Sequence, residues 1–151
     1  MPHAGFGARR AFVAWAALTF ASLAGCEGGG PKTHPVRGRV ELAGGDVKAL
    51  AGETVEVEAE GSPGVRASGP IGEDGTFELG GVYEGQSRMG AAEGKYRARI
   101  ILDGVDPPTG KTPLRSRKPL PVNVRYLKFD TSGLTVDVPA AGEVVLKVSR
   151  E

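Results

Sequence analysis

From residue 36 onward, apolar and polar side chains alternate along the chain with a period of two. In "VRGRVEL" (36–42), Val36, Val40 and Leu42 share one side, and Arg37, Arg39 and Glu41 share the other. "TVEVEAE" (54–60) sets Val55, Val57 and Ala59 against Glu56, Glu58 and Glu60. "TFEL" (76–79) pairs Phe77 with Leu79, and "KYRARIIL" (95–102) puts Tyr96, Ala98, Ile100 and Leu102 opposite Lys95, Arg97 and Arg99. "LTVDV" (134–138) and "EVVLKV" (143–148) complete the series. This period belongs to strands with one face on a core and one in water. The breaks between the runs carry turn chemistry: Gly44-Gly45, Gly61 to Gly64 with Pro63, "GEDG" at 72–75, and Gly142. No amphipathic helix interrupts them, so the pattern predicts an all-β, antiparallel β-sandwich.

The chain of 151 residues is one domain's worth. Its 24 glycines are about twice the usual ~7% share, which favours short strands and turns over long helices. Beyond residue 26 the aromatic residues are Phe77, Tyr83, Tyr96, Tyr126 and Phe129. The predicted core is therefore built mainly of Val, Leu and Ile, which suffices for a domain of about 115 residues.

The first 25 residues follow a different plan. "MPHAGFGARR" carries two arginines and no acid, and "AFVAWAALTFASL" (11–23) carries no charge. Small residues Ala24 and Gly25 then precede Cys26, the single cysteine of the chain. Basic, apolar, small is the order of a secretory signal peptide, and the apolar run is too short to span a bilayer comfortably. "LAGC" resembles the bacterial lipobox, in which the cysteine is lipidated and becomes the first residue after cleavage. The reading is a signal peptide over 1–25, lipidation at Cys26, a flexible Gly/Pro tether through residue 35 ("EGGGPKTHP"), and one folded domain over 36–151. An ordinary secretory signal and a retained anchor helix are the alternatives. Arg9-Arg10 also resembles a twin-arginine export signal. The expected location is the bacterial cell envelope, with acyl chains in a membrane and the domain on the non-cytoplasmic side.

The series "VRGRVELAGG…LAGETVEVEAEG…IGEDGTFEL…AAEGKYRARI" resembles the carboxypeptidase-regulatory-like, or transthyretin-like, domain. Gly38 to Val40, Leu50 to Val55, Glu73 to Phe77 and Gly94 to Tyr96 occupy the positions of that family's pattern. Ala49 stands where the family has proline, and Glu93 replaces a small residue or proline before Gly94. The tail, with Thr131 to Val136 as "TSGLTV", is similar to the ending of small planctomycete-type lipoproteins built on this domain. The resemblance implies a seven-stranded Greek-key sandwich and no assigned biochemical role.

Charge and composition then narrow the function. Removing Arg9 and Arg10 from 19 basic residues leaves 17 against 18 acidic ones, a net of −1. Nucleic-acid binding needs a strongly basic face, and this balance supplies none. "TGKT" (109–112) lacks the upstream glycine of a phosphate loop, because position 105 is valine, and Pro113 blocks the helix that should follow. "GEDGTF" offers two carboxylates where calcium takes six to eight oxygens, so it reads as a tight turn. Past the signal only His34 remains, leaving no histidine set for a metal and no base for a nucleophile. Transthyretin-related hydrolases resemble this fold but depend on histidines and a tyrosine-containing C-terminus, whereas this chain ends "KVSRE". A Lys–Asn isopeptide crosslink is also disfavoured, since Asn123 is the only asparagine and the first strand holds no lysine. No catalytic residue, metal ligand or cofactor is expected.

Two stretches, 80–94 and 103–121, read as long loops, where binding tends to reside. The second concentrates Lys111, Arg115, Arg117 and Lys118, a candidate contact for anionic lipid or an acidic partner. Sugar binding would need exposed aromatic rings, and Tyr83 and Tyr126 are the candidates. The rows Lys95/Arg97/Arg99 and Glu56/Glu58/Glu60 read as neighbouring or solvated faces and not as a site. The function expected is a non-catalytic binding or scaffolding module with an envelope protein or polysaccharide partner. A carbohydrate-binding module and an accessory domain of an envelope hydrolase are the alternatives.

Overall fold

The computed structural model describes Met1 and residues 30–105 and 119–151. Eleven strands appear among the described residues, in chain order. They are β1 (Thr33–His34), β2 (Arg37–Ala43), β3 (Thr54–Ala59), β4 (Arg66–Pro70), β5 (Thr76–Glu78) and β6 (Gly80–Tyr83). The remainder are β7 (Gln86–Met89), β8 (Ala91–Ala92), β9 (Gly94–Ile101), β10 (Leu134–Val138) and β11 (Val144–Ser149). A six-stranded sheet runs β10-β9-β3-β4-β6-β7, a three-stranded sheet runs β11-β2-β5, and β1 pairs with β8. The class is all-β, as the alternation predicts. Every pairing in the large sheet is antiparallel, but β11 runs parallel to β2, with Val144 opposite Gly38 and Ser149 opposite Ala43. Alternation fixes which face of a strand is buried and leaves the direction of its neighbour open, so the parallel pair lies beyond what the pattern reveals.

The two larger sheets bury their inner faces in one hydrophobic cluster. Val36, Val40, Phe77, Leu146 and Val148 come from the small sheet and its approach, and Val55, Val57, Tyr96, Ala98, Ile100 and Val136 from the large one. The arrangement is sandwich-like. Between β9 and β10, residues 119–133 fold over this core through Val122, Tyr126 and Leu127, with a 3-10 turn at Val124–Leu127 and the short helix α1 (Phe129–Ser132).

The "TSGL" stretch has a local reason in this fold. Thr131 Oγ1 donates to the Arg125 carbonyl at 2.6 Å. The buried Ser132 hydroxyl donates to Ala98 O at 2.6 Å and accepts from Leu134 N at 3.2 Å, pinning the turn to β9. Gly133 (φ 67) then takes the left-handed conformation that ends the helix and starts β10. Asn123 caps the preceding turn by accepting from Arg125 N at 3.0 Å.

Three expectations change. The segment 80–94 is not a long loop: β6 and β7 form a hairpin closed by Glu84 (φ 50) and Gly85 (φ 77). Two positive φ values are what a type I′ turn requires, and glutamate at the first position hides that turn from a sequence reading. The stretch read as a tether over 27–35 contains ordered residues, because Thr33 and His34 pair with Ala92 and Ala91, and Val36 just beyond it is fully buried. Glu58, expected to point to water, is 6% exposed.

Candidate binding surface

The outer face of the large sheet divides into two halves. In β3, Glu56 lies opposite Arg99 and Glu58 opposite Arg97, while on the other side Glu58 lies opposite Arg66. Directly opposed residues share a face, so the acidic row of β3 is flanked by the basic row of β9 on one side and by Arg66 of β4 on the other. Arg99 Nη2 and Nε approach Glu56 Oε2 at 2.6 and 2.7 Å. Arg66 Nη2 and Nε reach Glu58 Oε1 at 2.7 and 3.0 Å, and Arg97 Nη2 reaches Glu58 Oε2 at 3.3 Å. Arg97 Nη1 also meets Asp130 at 2.5 Å. Phe129 closes the layer, with the Arg99 and Arg66 guanidinium carbons 4.7 and 5.6 Å from its ring centre.

This geometry sets the electrostatics. The Arg66 hydrogen bond holds the Glu58 carboxyl below its usual value, against the upward push of burial, and the Gly64 amide and the Arg97 charge act in the same downward direction. Arg66 is raised in turn by its hydrogen bond to Glu58. A general base is most effective with a pKa near neutrality, and these partners move Glu58 the other way. The charged half is an internally neutralised layer.

The other half is open. Ser68 pairs with Gly80, Gly80 with Met89, and Val82 with Ser87, which brings these five residues onto the same outer face. Gly80 has no side chain, so the sheet is thin there, and a depression of about 500 Å³ lies over it. Arg66 and Arg88 also line it. Val82 and Met89 are 67% and 63% exposed, well above Ile101, Val124 and Val145, the other exposed large apolar residues among the described part of the domain. Strand β7 is the edge of the sheet.

The residues singled out from sequence fare differently. Cys26 and the cluster Lys111, Arg115, Arg117 and Lys118 lie outside the described residues, as does "TGKT". Tyr83 and Tyr126 are buried, 5% and 7% exposed, so neither offers a ring for a sugar to stack on. The Tyr83 hydroxyl accepts from Ala92 N at 3.2 Å, and the Tyr126 hydroxyl lies 3.4 Å from Ser149 Oγ. "GEDG" is a tight turn in which the Asp74 carboxylate accepts from both Thr76 N and Thr76 Oγ1, at 3.1 and 2.6 Å. Those two bonds hold Asp74 below its usual range. Among the described residues, no three or more of His, Cys, Asp and Glu gather where they could hold a metal ion. Comparison with protein-family models, curated proteins and solved structures finds no match for this chain.

Proposed function

We propose that this chain is a non-catalytic, lipid-anchored protein of the bacterial cell envelope, and that its β-domain works by binding or scaffolding. The observation that carries the binding role is the asymmetry of the large sheet: one half of its outer face is neutralised by its own charges, and the other keeps Val82 and Met89 exposed beside an open depression. Anchoring rests on the "LAGC" sequence at the end of the apolar run. Two or more acyl chains hold a protein to a bilayer far more firmly than one.

The finer fold belongs to the same proposal. A transthyretin-like, seven-stranded Greek-key sandwich is supported by the shared core of the two sheets and by the antiparallel β9-β3-β4 centre. The eleven described strands exceed that plan by four, the short β1 and β8 among them.

Fractionation of cells expressing the tagged full chain tests the anchoring. Wild type should pellet with membranes and carry the mass of its acyl chains, and Cys26→Ser should leave the membrane fraction. A Cys26→Ser variant that still pellets with unchanged mass overturns the lipid anchor. Crosslinking from Met89 in living cells tests the binding role. Efficient capture at Met89 with none at Thr135, on the opposite edge strand of the sheet, supports it. Equal capture at both positions removes the special standing of the depression.

A further inference from the structure

We infer that the β6–β7 edge of the large sheet docks on the lipid bilayer itself, with Val82 and Met89 as the side chains that enter the interface. This rests on acylation at Cys26, and three observations carry it from there. The first is where the chain leaves the domain. Gly30 lies against the Arg88 guanidinium, so near that a side chain at position 30 would meet Nη2 at 3.2 Å. Arg88 stands on the edge strand β7 between Ser87 and Met89. By register Arg88 lies opposite Gly81, on the face of β7 away from Val82 and Met89, so the tether leaves at this same edge strand and the apolar pair stands on the strand's other face.

The second is the length that remains. Only residues 27–29 separate Cys26 from Gly30. Four extended peptide steps cover at most about 14 Å, about the radius of gyration of a domain of this size, ~13 Å. The polar headgroup layer itself takes up about 5–8 Å on each side of the bilayer. A rigid domain on so short a lead cannot turn its exit edge away from the membrane. Thr33 and His34, paired with β8, cannot lengthen the lead without breaking that pairing.

The third is chemistry. Lys32 and Arg88 near the exit are offset by Glu84 at the hairpin tip and Glu93 beyond β8, so the edge has no strong charge. What it presents is apolar area on Val82 and Met89. Such area partitions into the headgroup–acyl boundary. Tethering makes the contact intramolecular, with an effective concentration in the millimolar range, so a patch of two side chains is enough to orient the domain. Salt should change this contact little, because attraction between exposed charges is not its source.

The test uses the acylated full-length product in vesicles of phosphatidylethanolamine and phosphatidylglycerol that carry a quencher on the lipid. With Cys26 blocked by its lipid, a fluorophore can be placed uniquely through Ser87→Cys or Thr135→Cys, both exposed. Strands β7 and β10 stand five spacings apart, about 24 Å. Quenching several-fold stronger at position 87 than at 135, little changed by salt, and reduced to the level at 135 by Val82→Asp with Met89→Asp while flotation persists, is the expected result. Equal quenching at the two positions in protein that floats overturns the docking and leaves the anchor standing. Full quenching in the double aspartate variant also overturns it. A wild-type protein that neither floats nor carries acyl mass overturns the anchor, and the docking falls with it.

Discussion

The two halves of the large sheet's outer face share one backbone and one alternation, yet end in opposite states. Over β9 and β3 the outward residues are mostly long and charged, and register brings Glu58 between Arg97 and Arg66 and sets Glu56 beside Arg99. Over β4-β6-β7 they are glycine, serine, valine and methionine, and nothing among the described residues closes over them as Phe129 closes the charged half. An outward position that can pair with its neighbours adds to stability. An outward position left apolar and open costs little in stability and is available for contact.

The largest stability effect should follow from opening the charged half at its centre. Glu58→Ala leaves Arg66 and Arg97 without their shared carboxylate, and a loss of about 2 kcal/mol in urea unfolding is expected. Close behind is Phe129→Ala, which removes two cation–π contacts and should cost about 1–2 kcal/mol by the same measurement. Ser132→Ala should cost about 1 kcal/mol, because the Ala98 carbonyl and the Leu134 amide both lose their buried partner. In the open half, Val82→Ser with Met89→Ser should leave stability within about 0.5 kcal/mol of wild type. A loss as large as that of Glu58→Ala would mean the open half is structural too.

Acidity separates the halves in a second way. The folded-state pKa of Glu58 lies below the usual value of 4.5, so its contribution is complete at neutral pH and is lost as pH falls from about 4.5 through the folded value. Stability of wild type should fall over that range, and Glu58→Gln should flatten part of the slope. The serine double variant should keep the wild-type slope. At the alkaline end, burial raises the Tyr96 hydroxyl to about 12, with help from neighbouring Tyr83. The unfolded chain releases that proton near 10.0 and the folded chain holds it, so stability should decline between these values, and Tyr96→Phe should remove the decline.

Six strands were legible because their inward positions are large and their outward ones charged: β2, β3, β5, β9, β10 and β11 each match a stretch of alternation to within one or two residues. Strand β4 was not, because "RASGP" turns only Ala67 and Gly69 inward, and neither signals burial. The β6–β7 hairpin was hidden for the same reason, with Gly81 on its inner face and glutamate at its turn. The opposed charges of β3 and β9 were readable as neighbours, but their closure by Phe129 depends on a helix more than thirty residues further on. The tyrosines misled because ring chemistry says nothing of depth, and both rings face the interior. The depression is made of small residues from three strands, so no single stretch of sequence displays it.

The parallel pairing of β11 with β2 has a consequence in time. Strand β2 is the first long strand among the described residues, and its full-length partner is β11, more than a hundred residues later, with Val144 seated beside Gly38. A chain emerging from its N-terminal end therefore holds an apolar strand with only the short β5 to pair with until residues 144–149 have been made. Contacts so distant in sequence form late and slowly. The small sheet stays unfinished until residues 144–149 arrive, and their arrival is what completes it.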